Sequence, residues 1–312
     1  MKNYLSRIET IKRDLIFLHK EDFETATNGT HHKVFLSNNY VIRFRDDDPK
    51  LLSREANFIK KLKHPLIPRV LWIGESGDTG MMVEERLPGK DLDTVWKILS
   101  TTNKTNIIKQ VVQFLKYLKK QSNDHIYSVN SGKEYSDFLN YFTDGIDKKI
   151  IKIRTINQTD RILKELLSII KNYENKNLFS KNKKIALVHG DLIIHNLLTD
   201  GVNLTGVIDW ELALYGDPDY DLFRLFYYQE CAKAYHEQGI DETFEADYMD
   251  KLIAAILKSE LIADKKLFGK KYQFARAIYF INALYWAANS KKTRENTDEV
   301  MGLWNKKAEL NM

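Results

Sequence analysis

Between Leu187 and Tyr228 the chain reads LVHGDLIIHNLLTDGVNLTGVIDWELALYGDPDYDLFRLFYY, and three polar residues in it stand beside apolar runs. Asp191 follows the strand-like run KIALVH, Asn196 comes five residues later, and Asp209 ends a second run, TGVIDW. An Asp200-Gly201 turn between them reads as a hairpin that carries the two aspartates toward one point. Two carboxylates and an amide gathered there are a ligand set for Mg²⁺, which takes a few protein oxygens and fills its shell with water or phosphate. Phosphoryl transfer asks for such parts: metal on the phosphate oxygens, a group that positions the nucleophile, and cations against developing charge. Singly, each residue could be an ordinary turn residue at a strand end. Their joint spacing is what points to chemistry.

The elements that must hold these residues are legible in outline. Leu5, Ile8, Ile11, Leu15 and Leu18 recur at helical spacing. FETATNG, HHKVFLS and NYVIRFRD follow as three short strands broken by Asn-Gly and Asn-Asn. A helix comes next, with Pro49 in its first turn and Leu51, Leu52, Ala56, Ile59 and Leu62 on one face. RVLWIG and GMMVEERL are two further strands. Residues 1–86 thus read as a small β-rich lobe, and Pro88-Gly89 as a hinge. Residues 87–312 read as a larger, mainly helical lobe, with helices over Ile107–Lys120, Tyr135–Lys149, Asp160–Tyr173, Tyr248–Lys258 and Tyr272–Ala288. The only strand-like runs expected there are KIALVH, NLLTD and TGVIDW. The fold class is α+β in two lobes, and a cleft between lobes is a common place for a small-molecule site.

The whole chain narrows the classes. At 312 residues it can bury a large core, and its 43% apolar and 29% charged content is that of a globular protein. A single cysteine, Cys231, excludes an intrachain disulfide and fits a reducing cytoplasm. No stretch reads as a secretory leader or a membrane span, so a soluble, cytoplasmic protein is expected. The net charge of +5 is spread along the chain rather than gathered into a stripe, which argues against a nucleic-acid partner.

The quoted stretch resembles the aminoglycoside phosphotransferases and their choline-kinase-like relatives, which share the protein-kinase-like fold. The resemblance rests on His189-Gly190-Asp191, Asn196, Ile208-Asp209-Trp210, Gly216-Asp217-Pro218 and Asp221-Leu222. It implies that Asp191 orients or accepts the proton of a substrate hydroxyl, that Asn196 and Asp209 hold Mg²⁺, and that His189 and Asp221 brace the loop. In the N-terminal lobe it implies that Glu55 pairs with a basic strand residue, that a loop containing Gly29 covers the phosphates, and that Val83, Glu84, Glu85 and Arg86 form a hinge whose backbone meets the purine. The basic strand residue is normally lysine. Here it is Arg43, because strand alternation puts Val41 and Arg43 on one face with Val41 over the purine. Arginine keeps the charge but changes reach and geometry.

The expected activity is transfer of the γ-phosphate of ATP or GTP to a hydroxyl of a small molecule. An aminoglycoside or related antibiotic is the leading acceptor, which would make antibiotic resistance an expected activity. A kinase of choline, ethanolamine, homoserine or a sugar is the alternative, and a nucleotide-binding pseudokinase is the alternative of another class. Asp209 is followed almost at once by Gly216-Asp217-Pro218, which leaves no room for a protein kinase activation segment. The acids Glu237, Asp241, Glu242, Glu245, Asp247 and Asp250 read as a wall for a cationic acceptor or as a solvated loop. Asp217 and Asp219 read as helix-start acids, His31, His32 and His195 as surface or packing histidines, and Trp210 with the aromatics of 223–228 as core.

Overall fold

The computed structural model describes residues 4–26, 33–174, 178–179, 184–237 and 243–305. The chain opens with α1 (Tyr4–Asp14), then forms β1 (Glu24–Thr25), β2 (Lys33–Leu36), β3 (Tyr40–Arg45), α2 (Pro49–Ile59), β4 (Val70–Ser76) and β5 (Thr79–Glu85). The strands make one antiparallel sheet in the order β1-β2-β3-β5-β4. Its two faces divide by the strand period of two. Ile42, Phe44, Met81 and Val83 pack with Ile8, Ile11 and Leu18 beneath α1. The alternate residues of the paired β3 and β5, with Arg43 opposite Met82 and Val41 opposite Glu84, face the other way. There Met82 joins Leu51, Leu52 and Ala56 of α2 in the large core that continues into the rest of the molecule.

Beyond Glu85 the chain runs through β6 (Lys90–Asp91), α3 (Leu92–Trp96), α4 (Thr101–Lys120), β7 (Ile126–Ser128) and β8 (Glu134–Tyr135). Next come α5 (Phe138–Thr143), α6 (Ile146–Ile153), α7 (Asp160–Glu174), β9 (Ala186–Val188), β10 (Leu197–Thr199), β11 (Leu204–Val207) and β12 (Leu214–Gly216). The last elements are α8 (Tyr220–Glu237), α9 (Thr243–Lys258), α10 (Lys265–Asn289) and α11 (Thr293–Asn305). A β-rich part and a mostly helical part make this an α+β, two-lobe fold.

The helical part departs from the sequence reading in informative places. The helix expected over Tyr135–Lys149 is two helices, because Gly145 sits between them at φ 71°, a conformation that glycine takes without steric cost. Tyr135 belongs to β8 instead. The strands β6, β7, β8 and β12 were not expected, since two or three residues carry no readable period. α4 begins at Thr101, where the Ser100 side chain accepts the Asn103 N–H as an N-cap. Asp217 and Asp219 are more than helix-start acids. The buried Lys271 of α10 donates to Asp217 at 2.7 and 3.0 Å and to Asp219 at 3.2 Å. Lys119 of α4 reaches Asp219 at 2.8 Å, so the pair of acids ties three helices together.

Candidate active site

The segment after β9 turns sharply at Gly190, whose φ is 84°. A Cβ there would lie 2.2 Å from the carbonyl oxygen of Leu212, so only glycine fits between His189 and Asp191. The turn is held by Asp221, at the start of α8. Its two carboxylate oxygens accept the backbone N–H groups of His189 at 3.0 Å and Gly190 at 2.8 Å. Burial pushes the Asp221 carboxyl above its ordinary range, while the two N–H donors pull the other way. His189, fully buried, links three segments. The Asp191 N–H donates to its Nδ1 at 3.2 Å, and its Nε2 lies 3.1 Å from the Ile208 carbonyl, which assigns the ring proton to Nε2.

This turn sets Asp191 on an edge where three side chains converge. Arg224 Nη2 donates to Asp191 Oδ1 at 2.7 Å, and the Tyr228 hydroxyl donates to the same oxygen at 3.1 Å. Asn196 Nδ2 donates to Asp191 Oδ2 at 3.1 Å and to the Asp191 carbonyl at 2.8 Å. Burial works against the Arg224 charge, but the Tyr228, Tyr220 and Asp191 oxygens outweigh it and the guanidinium stays cationic. Arg224 and Tyr228 were not singled out from the sequence, where the aromatics of 223–228 read as core. A signal was present: Asp221, Arg224 and Tyr228 stand at i, i+3 and i+7, one face of α8. Phe223 and Phe226 do enter the core.

Asp209 follows β11 and is the one non-glycine residue at positive φ, 65°, among the described residues. Aspartate tolerates this region better than most side chains, and such strain gathers at functional sites. The loop is tied to Asn196 by the Ile208 N–H, which donates to the Asn196 carbonyl at 3.0 Å. These residues fit a Mg²⁺ ion. The Asn196 amide nitrogen is committed to Asp191, so its oxygen is the end left for a cation, and the Asp209 carboxylate keeps over a third of its surface exposed.

Arg43, buried on β3, donates to Glu55 Oε1 at 2.6 Å, and its other terminal nitrogen lies 3.7 Å from Asp209 Oδ1. The same Glu55 oxygen accepts the Trp210 N–H at 3.1 Å, so the α2 glutamate clasps both β3 and the Asp-Trp-Glu segment. Arg45 makes different pairs, with Asp47 at 2.7 Å and with Glu211. Glu84 is buried on the Arg43 side of the sheet, and burial pushes its carboxyl up to about 7 against the pull of Arg43. The remaining hinge residues make the following contacts. Val83 packs in the core beneath α1, on the opposite face. The Glu85 and Arg86 N–H groups already donate to the Arg69 and Asn39 carbonyls, at 2.9 and 2.8 Å. The Glu85 side chain pairs with Arg69, and that of Arg86 reaches the Ser37 carbonyl at 2.6 Å. Gly29, His31 and His32 lie outside the described residues.

The model of the APH phosphotransferase enzyme family matches residues 22–252, which span both the Arg43–Glu55 pair and the Asp191 loop. The chain belongs to that family. A curated relative, the hygromycin-B 4-O-kinase of Escherichia coli, is 36% identical over 52 residues, covering 17% of this chain and 15% of the relative. Among solved structures, a thermostable mutant of aminoglycoside phosphotransferase APH(4)-Ia in ternary complex with ADP and hygromycin B has a TM-score of 0.69. It is 16% identical, over 96% of this chain and 98% of that one. The gentamicin complex of APH(2'')-IIa has a TM-score of 0.66 at 18% identity, over 98% of this chain and 97% of that one.

A cavity of about 380 Å³ adjoins the Asp191 loop. Ile193, Ile194 and His195 line one side, and Tyr228, which also contacts Asp191, lines another. Of the acids expected to form a wall, Asp247 is taken by Trp96 Nε1 at 3.0 Å, by Lys104 at 3.2 Å and by Lys251. Asp250 is held by Gln229 at 2.6 Å and Lys233 at 3.2 Å. These two are structural partners of lysines rather than an open negative surface. Glu237, Asp241, Glu242 and Glu245 fall where side chains are outside the description. His195 sits at the cavity with Nδ1 2.8 Å from Asp93. Among the described residues no helix is long and apolar enough to cross a membrane.

Proposed function

We propose that this phosphotransferase moves the γ-phosphate of ATP or GTP to a hydroxyl of a small molecule, an aminoglycoside or related antibiotic. The observation that carries the reading is the meeting of Asp191, Asn196 and Asp209 around one loop, with the Arg43–Glu55 pair reaching Asp209 from the other lobe.

Asp191 is the group that orients the acceptor hydroxyl and takes its proton as the hydroxyl oxygen forms its bond to the γ-phosphorus and the bond from that phosphorus to the β-phosphate oxygen breaks. The Arg224 and Asn196 contacts hold its carboxylate in one orientation, so the hydroxyl meets a preset acceptor. Asn196 and Asp209 would hold Mg²⁺, which would supply positive charge against the phosphate oxygens. Arg43, fixed by Glu55, is a permanent cation for the phosphates, since neighbouring carboxylates outweigh the effect of its burial. The backbone of Val83–Arg86 meets the purine edge through groups other than the Glu85 and Arg86 N–H, which are engaged. Residues 1–86 supply the nucleotide half of the site and residues 87–312 the acceptor half. An acceptor entering the cavity approaches Asp191 past Tyr228.

The test is release of nucleoside diphosphate with Mg²⁺ and ATP or GTP across aminoglycosides, hygromycin B, a macrolide, choline, ethanolamine and homoserine. Release that depends on one acceptor class supports the reading and names the class. Nucleotide binding with no release on any acceptor would argue for a pseudokinase.

A further inference from the structure

The cavity beside Asp191 has a chemistry of its own. Most of its described lining is apolar or aromatic, including Ile193, Tyr227, Met249 and Leu303. Its charged lining among the described residues is Glu299, with His195 and Asn296 as the other polar contributors. Trp286 of α10 stands at this cavity and is 63% exposed, an unusual expense of apolar surface for a side chain that large. An exposed aromatic face beside a concave apolar lining is the signature of a small-molecule site rather than of packing.

We propose that this cavity is the acceptor site and that the part of the acceptor entering it is an apolar ring face carrying at most one ammonium group. The ring lies against Trp286, and the ammonium, where present, meets Glu299. Transferring several ammonium groups from water to such a lining is unfavourable where its described residues offer one carboxylate. An apolar face gains from leaving water in the same place. Tyr228 marks the reacting end, because it lines the cavity and its hydroxyl donates to Asp191 Oδ1. The acceptor hydroxyl takes over that position. Its proton passes to Asp191, its oxygen forms the bond to the γ-phosphorus, and the bond from that phosphorus to the β-phosphate oxygen breaks, releasing the nucleoside diphosphate. The inference rests on the phosphotransferase reading and selects among its acceptors.

The experiment compares a macrolide bearing a single tertiary amine with a polycationic aminoglycoside, on the full chain and on Trp286→Ala. Calorimetric binding and nucleoside diphosphate release are both followed. Trp286 is exposed and its removal leaves the core intact, so the variant is expected to fold with nucleotide affinity unchanged. The macrolide should bind the wild type, and Trp286→Ala should weaken that binding and raise the acceptor KM by roughly tenfold with kcat largely kept. Absence of macrolide binding, or equal binding by both proteins, would overturn the inference. So would turnover of the polycation alone with a KM that Trp286→Ala does not move, while leaving the phosphotransferase reading standing. Macrolide binding that depends on Trp286 but gives no phosphate transfer would keep the ligand class and overturn the reading of the reaction.

Discussion

Arg224 Nη2 lies 2.7 Å from Asp191 Oδ1, so the aspartate at the centre of the site is anchored by a cation from the first turns of α8. The same helix presents Asp221 to the backbone on the other side of the turn. One helix end therefore sets both the path of the loop and the direction of its carboxylate.

Arg224→Met is expected to lower kcat by about 10- to 100-fold, the scale of losing a positioning contact at a reacting group. Nucleotide affinity should stay near wild type, because Arg43 and Glu55 are untouched. Arg224→Lys should recover part of the rate, since it restores charge without the planar fork. Steady-state kinetics with separate titration of nucleotide and acceptor would decide it. Equal kcat in all three proteins would remove Arg224 from the account.

Glu55 accepts Arg43 and the Trp210 N–H on one oxygen, at 2.6 and 3.1 Å. Glu55→Ala leaves a buried arginine without its closest partner, which typically costs about 3–5 kcal/mol. Thermal unfolding should show a marked drop in midpoint, and nucleotide should bind more weakly at temperatures where the variant is folded. Arg43→Lys preserves the cation and should be milder on both measurements. A Glu55→Ala protein as stable as the wild type would mean that this clasp contributes nothing.

Asp221→Asn replaces two acceptor oxygens by one acceptor and one donor, so one of the His189 and Gly190 N–H groups loses its partner in a buried place. The expected destabilisation is about 1–3 kcal/mol. Activity should fall by more than stability alone explains, because the Asp191 loop is displaced. Denaturant unfolding read beside kcat would separate the two effects.

Glu84 gives a stability dependence on pH with a definite sign. Its buried carboxyl titrates near 7 rather than near 4.5. Below the ordinary carboxylate range it is protonated whether the chain is folded or not, and its contribution is fully present. As pH rises through about 7 the native protein must ionise a buried group, and that stability is lost. Glu84→Gln should therefore gain on the wild type by up to a few kcal/mol at about pH 8.5 and show little difference at about pH 5. Parallel unfolding midpoints at the two values check it, and a difference that does not depend on pH would contradict it.

The sequence carried the order of elements in the β-rich lobe and the loop around Asp191, because strand alternation and the His-Gly-Asp spacing are local signals. It also chose Arg43 over Arg45, since a register with Arg45 at the phosphates would set Arg43 rather than Val41 over the purine. What it could not carry was the partner set of Asp191. Arg224 and Tyr228 lie 33 and 37 residues away, and their side chains are aimed by the packing of α8. The split at Gly145 was missed because the apolar pattern on either side continues through it. The ion pair of Asp247 was hidden for a related reason: Lys104 stands 143 residues earlier, on α4.

The most direct test of the central claim is nucleoside diphosphate release by Asp191→Asn and wild type, with Mg²⁺, nucleoside triphosphate and the best acceptor of the panel. The account predicts a loss of about 10²- to 10⁴-fold in kcat with nucleotide affinity largely kept, the range expected for removing a general base. A variant that retains near-full turnover would contradict it.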